Sequence, residues 1–129
     1  MKFEHIGINV PDARAMAQWY VAHLGFSVVR SMDAAPHTHF LADETGRVAV
    51  EVYTNTSAPM APYATQHPLV FHIAVWSPQA SADRARLEKA GATLVSDDTL
   101  PDGSNLVMLR DPWGVALQLC QRAKPFPGF

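Results

Sequence analysis

The polar residues and glycines of this chain recur at a nearly constant offset, and that recurrence limits its fold more than any other feature. His5 and His72 stand 67 positions apart, each directly before an isoleucine in a β-branched run. Glu51 and Gln118 are also 67 apart, in Val-Glu-Val and Leu-Gln-Leu. Gly25 and Gly91, 66 apart, close two helix-like segments, while Gly46 and Gly114, 68 apart, each precede a strand-like run. The offset describes two copies of one unit of roughly 65 residues, each with the order β-α-β-β-β. A ferredoxin-like α+β domain or a chance echo are the alternatives. Helix order, turn positions and two polar sites agree on the duplication.

The first copy opens with Phe3 to Val10, where Ile6, Ile8 and Val10 share one strand face and His5, Gly7 and Asn9 the other. Asp12 is the expected N-cap of a helix that carries Met16, Tyr20 and Leu24 on one face and stops at Gly25. Ser27 to Met32, His39 to Ala42 and Arg47 to Tyr53 read as strands, with a turn at Asp43-Glu44-Thr45-Gly46. Thr54 to Pro68 holds Pro59, Pro62 and Pro68 and reads as a connecting segment. In the second copy Leu69 to Trp76 is a strand, and Ser77-Pro78 signals a helix start. Gln79 to Ala90 is the helix, and Thr93 to Ser96, Leu106 to Arg110 and Val115 to Gln121 are strands. The expected boundaries are residues 1–54 for the first module, 55–68 for the connection, 69–122 for the second module and 123–129 for a tail.

Composition removes several classes of function. A chain that is 48% hydrophobic supports a core, and a net charge of −2 offers neither a nucleic-acid surface nor a polybasic membrane patch. Cys120 is the single cysteine, so no intrachain disulfide forms, which fits a reducing compartment. Met1 runs straight into a strand-like segment without a charged leader or long apolar stretch. The expectation is a soluble cytoplasmic protein with a small-molecule ligand and neither a nucleic-acid nor a membrane partner.

Four polar side chains, His5, Glu51, His72 and Gln118, interrupt good strands. Parity sets each opposite to its apolar neighbours, so all four face away from the helices, into what would be a cleft in a closed two-module sheet. A buried, unpaired carboxylate is costly, so these groups need a common partner. Two imidazoles and one carboxylate suit a divalent ion, with the Gln118 carbonyl as a weaker fourth ligand and room left for water or substrate.

These residues resemble the vicinal oxygen chelate superfamily of glyoxalases, bleomycin resistance proteins and extradiol dioxygenases. The likeness runs from His5-Ile-Gly-Ile-Asn-Val, through Trp19-Tyr20 and His23-Leu24-Gly25-Phe26, to Asp111-Pro-Trp-Gly-Val-Ala-Leu-Gln118. It implies an α+β fold of two tandem βαβββ modules whose curved sheet surrounds a central cleft. It also implies metal ligands at His5, Glu51, His72 and Gln118, with Fe, Mn, Co, Ni or Zn as the ion. The expected activity is that of a metal-dependent lyase, isomerase or dioxygenase acting on a small oxygen-bearing substrate. The alternative is a metal-free binding protein of the bleomycin-resistance type. Gln118 departs from the pattern, because glyoxalase-like members usually carry glutamate there. A proton shuttle would then fall to Glu51 or to a metal-bound hydroxide. Members of this size often pair, so a homodimer is expected.

Other residues carry weaker expectations. Arg30, Arg47 and Arg110 read as ordinary surface arginines, with anion binding the alternative. His37 and His39 share a strand face that would reach the cleft. Tyr53, Trp76, Met108 and Trp113 read as core or pocket wall, and Cys120 as a small buried hydrophobe.

Overall fold

The computed structural model describes residues 1–128 and divides the chain into two compact units, Met1–Ala61 and Pro62–Phe129. Among these tail residues, Phe129 lies outside the described residues.

The first unit contains β1 (Ile6–Asn9), α1 (Ala13–Leu24), β2 (Ser27–Ser31), β3 (His39–Ala42) and β4 (Val48–Tyr53). The second contains β5 (Ile73–Trp76), α2 (Ala80–Lys89), β6 (Thr93–Thr99), β7 (Asn105–Arg110) and β8 (Ala116–Gln121). Each unit is a βαβββ module with a mixed four-stranded sheet. The strand orders are β1-β4-β3-β2 and β5-β8-β7-β6. In both, the fourth strand returns to lie parallel to the first and antiparallel to the third.

Helix α1 forms where the sequence places it. The Asp12 carboxylate accepts the Ala15 N–H at 3.0 Å, and Gly25 ends the helix at φ 73°. Its buried face, Ala13, Met16, Ala17, Trp19 and Tyr20, packs with Leu41, Val50 and Val52 of the sheet in the first unit's core. The ring of Phe26 meets Tyr20 edge-on just after the helix. Helix α2 starts later than the Ser77-Pro78 signal suggests. Ser77 Oγ instead accepts from Gln79 N at 3.2 Å and donates to Asp83 Oδ2 at 2.6 Å, and the helix begins at Ala80.

The duplication extends to a device that local sequence does not reveal. Ala13 N, in the first turn of α1, donates to Thr54 Oγ1 at 2.9 Å. Ala80 N, in the first turn of α2, donates to Gln121 Oε1, also at 2.9 Å. Each capping side chain comes from the end of the fourth strand, 41 residues further along the chain. The crossover therefore satisfies an otherwise unpaired helix N–H and fixes helix to sheet in the same bond.

Strand β5 is shorter than the sequence suggests. Leu69 and Val70 lie in a turn, where Leu69 N donates to His67 Nδ1 and Val70 N to the His67 carbonyl. Both apolar side chains stand exposed. The ring and carbonyl of His67 close a local turn ahead of the sheet, and local bonding outweighs the β-branched run. The segment from Pro62 to Gln66 is held by Arg110. Its guanidinium donates to the carbonyls of Tyr63 (2.5 Å), Gly114 (3.0 Å) and Gln66 (2.7 Å). Arg110 is a structural clamp rather than an ordinary surface arginine.

On β6, Asp97 accepts from Asn105 Nδ2 at 2.7 Å and from Arg84 Nη1 at 2.8 Å. The Asn105 amide first and the Arg84 guanidinium second hold the Asp97 carboxyl below the usual carboxylate range, against the opposing effect of burial. An unfolded aspartate protonates near pH ~3.9. The stabilisation is thus present above that pH and lost as pH falls through the depressed folded value. Asp97→Asn is expected to cost under about 1 kcal/mol at pH 7, because the network is partly exposed. Urea melts at pH 7 and pH 3 test this: the gap between variant and parent should close at the lower pH.

Candidate functional site

The first unit brings two of the four expected residues together. His5 stands one residue before β1 rather than inside it, and Glu51 lies in β4 opposite Gly7. His5 Nε2 and Glu51 Oε2 are 3.1 Å apart, with both side chains about three-quarters buried (27% and 22% exposed). The other ring nitrogen, Nδ1, rests against the Glu4 carboxylate. Phe40 of β3, paired with Glu51, meets the His5 ring edge-on at 5.6 Å between centroids.

Gly7 makes room for this arrangement. A Cβ at that position would sit 3.1 Å from Glu51 Oε2 and 3.4 Å from Tyr53 Cε1. Gly7→Ala is expected to leave the melting temperature within a few degrees, since the carboxylate is the far end of a flexible side chain, costing about 1 kcal/mol or less. It should nonetheless displace Glu51 from His5. The imidazole proton resonances of His5 check this: a shift without loss of fold is the expected result.

The second unit repeats the frame with altered chemistry. His72 stands one residue before β5, and Gln118 of β8 lies opposite Ala74, the counterpart of Gly7. Met108 of β7 pairs with Gln118 where Phe40 pairs with Glu51. His72 Nδ1 lies 3.2 Å from the Pro68 carbonyl, while Gln118 Oε1 accepts from Cys120 Sγ at 3.3 Å. Among the described residues no hydrogen bond joins His72 to Gln118.

The His5–Glu51 pair supplies donor types that a divalent cation accepts. A carbonyl only accepts, so His72 Nδ1 carries the proton, and a neutral ring presents the Nε2 lone pair. His5 turns Nε2 towards Glu51, while its Nδ1 lies beside the Glu4 carboxylate without a formed hydrogen bond among the described residues. At 3.1 Å, the His5 Nε2–Glu51 Oε2 contact suits either a ring N–H donated to the carboxylate or a metal ion that both atoms would ligate. Anchoring a histidine through its other nitrogen is the support that metal-ligating histidines generally receive. Among the described residues no group of three or more His, Cys, Asp or Glu side chains gathers to hold a metal.

His37, His39 and Arg47 have structural partners. His37 and His39 bond through Nδ1 to the carbonyls of Asp33 and His37, both at 2.7 Å. Arg47 donates to the Phe3 carbonyl. Asn9, on the same face as His5, is buried, and ties β1 to the segment after β4. It donates to the Asn55 carbonyl at 2.9 Å and accepts from Asn55 N at 2.8 Å. In the second unit Ala74, Trp76, Cys120, Arg122 and Phe126 line a cavity of about 100 Å³. The tail contributes Phe126 to its wall, and Arg122 just ahead of the tail adds another. Among the described residues no helix is long and apolar enough to cross a membrane.

Both modules thus set a histidine just before the first strand against a polar residue on the fourth, within one repeated βαβββ frame. Residues 2–119 match the family model of the Glyoxalase/Bleomycin resistance protein/Dioxygenase superfamily, and the chain belongs to that superfamily. Solved structures share the fold. The antibiotic-binding protein TnmS3 from Streptomyces sp. CB03234 is 18% identical, with a TM-score of 0.68 over 95% of this chain and 97% of that one. A glyoxalase family protein from Enterococcus faecalis is 21% identical, with a TM-score of 0.70 over 92% and 96%. A V278E mutant of glyoxalase I from Zea mays is 19% identical, with a TM-score of 0.74, covering 95% of this chain and 45% of that one. No curated protein sequence matches the chain at a significant level.

Proposed function

We propose that the chain binds a small oxygen-bearing molecule with the help of a divalent metal ion, and acts on it as a lyase, isomerase or dioxygenase. His5 and Glu51 from the first unit and His72 and Gln118 from the second are the proposed ligands, and Fe, Mn, Co, Ni and Zn are the candidate ions. The observation that carries this reading is the 3.1 Å approach of His5 Nε2 to Glu51 Oε2, at positions that the duplication repeats as His72 and Gln118. When bound, the ion would polarise the oxygen atoms of the substrate. Glu51 is the proposed base, because it is the carboxylate of the set and Gln118 has no proton to exchange at its amide oxygen. Phe40 and Met108 would hold Glu51 and Gln118 in place from the neighbouring strands. The proposal includes a homodimer and a cytoplasmic location; light scattering tests the former, with a mass of twice the chain expected and a monomer mass counting against it.

The second reading is a metal-free binding protein. The cavity bounded by Trp76 and Phe126 favours it, as does the fold shared with an antibiotic-binding protein. Elemental analysis of protein purified without added metal separates the two. Near-stoichiometric metal in the parent, absent from His5→Ala, supports the first reading. No metal, and no uptake on reconstitution, leaves the second.

A further inference from the structure

The cavity in the second unit lies on the face that carries Gln118. Ala74 and Trp76 of β5 pair with Gln118 and Cys120 of β8, so these four positions share one side of the sheet. Arg122, just after β8, and Phe126 of the tail close it, with the guanidinium carbon 4.3 Å from the centre of the Phe126 ring. Such stacking fixes the plane of a cation that never loses its charge. Among the described residues no carboxylate lies within ion-pair distance of Arg122. Asp102 feels it only through space, while its own bonds go to the Ser104 amide and hydroxyl. The cavity is somewhat smaller than an engineered apolar cavity of about 150 Å³ that accepts benzene, so one ring is the upper limit for its buried part.

We infer that this cavity is a subsite for a small carboxylate carrying a single flat ring. Trp76 and Phe126 clasp the ring, and Arg122 binds the carboxylate. The inference rests on the reading of this face as a ligand-binding one but does not depend on metal.

The test is a calorimetric titration of the chelator-treated full chain with benzoate and with its neutral analogue benzamide. Benzoate should bind at least tenfold more tightly than benzamide. Arg122→Gln should erase that preference, Arg122→Lys should keep part of it, and Phe126→Ala should weaken both ligands alike. Ligand-induced quenching of tryptophan fluorescence should vanish in Trp76→Phe. Equal binding of acid and amide, a preference that survives Arg122→Gln, or no saturable binding of either would overturn the inference. Because the protein is stripped beforehand, failure of the metal proposal leaves these outcomes unchanged, and elemental analysis reads that proposal separately.

Discussion

Gly114→Ala is expected to lower the melting temperature by about 10 °C or more. Two costs combine at this position. Gly114 sits at φ 86°, where a Cβ is strained by roughly 1–2 kcal/mol. The added carbon would also lie 2.8 Å from the N, Cα and Cβ of Ala64. Backbone atoms cannot swing aside as a side-chain tip can, and overpacking adds about 1–3 kcal/mol. A total near 3 kcal/mol corresponds to the stated shift in a domain of this size, at about 4 °C for each kcal/mol. Gly46→Ala is the control. It has similar φ, 77°, but nothing within 4 Å of the new carbon, so it should show the strain alone. Thermal melts followed by circular dichroism compare the two. Equal shifts would mean that the Ala64 contact relaxes without cost.

The largest expected effect on binding comes from Glu51. Glu51→Gln removes the anionic oxygen of the proposed set and should weaken divalent-metal affinity by about 100-fold or more, beyond the 10–100-fold that supporting groups alone contribute. Gln118→Glu should act in the opposite direction. It restores a carboxylate to the repeated position opposite Ala74, and affinity should rise by about tenfold, the effect of ~1.4 kcal/mol from a second charged ligand. Calorimetry with Mn²⁺ and Zn²⁺ measures both. The pair of variants tests the asymmetry between the two units directly, because it exchanges the charge at positions that the fold treats as equivalent.

Much of this architecture is legible in the sequence because it is local. Asp12 and Gly25 delimit α1 through bonds that span a single turn, and the alternation of Val48, Val50 and Val52 with Glu51 sets the face of β4. The duplication added long-range information by aligning His5 with His72 and Glu51 with Gln118. What the sequence hides is bonding across distance. Nothing near Thr54 or Gln121 announces that each caps a helix 41 residues earlier. Arg110 reads as a surface charge until the carbonyls of Tyr63, Gln66 and Gly114 are brought around it. Leu69 and Val70 mislead for the opposite reason, since their β-branched and apolar character is overridden by the turn that His67 closes. The tail is a third case: a Pro-rich stretch that cannot be a strand still supplies Phe126 and, just before it, Arg122 to a cavity wall. At the candidate site, strand parity shows which residues share a face. The absence of a side chain at Gly7, which admits the Glu51 carboxylate, emerges only from the register of β1 on β4.

A Co²⁺ titration of chelator-stripped protein followed by visible absorption tests the proposed metal site most directly. Saturation with nitrogen-ligand d–d bands is expected in the parent chain. Those bands should be lost in His5→Ala and in Glu51→Gln, with both variants still folded. Bands of unchanged intensity and affinity in the two variants, or no uptake by the parent, would rule the site out.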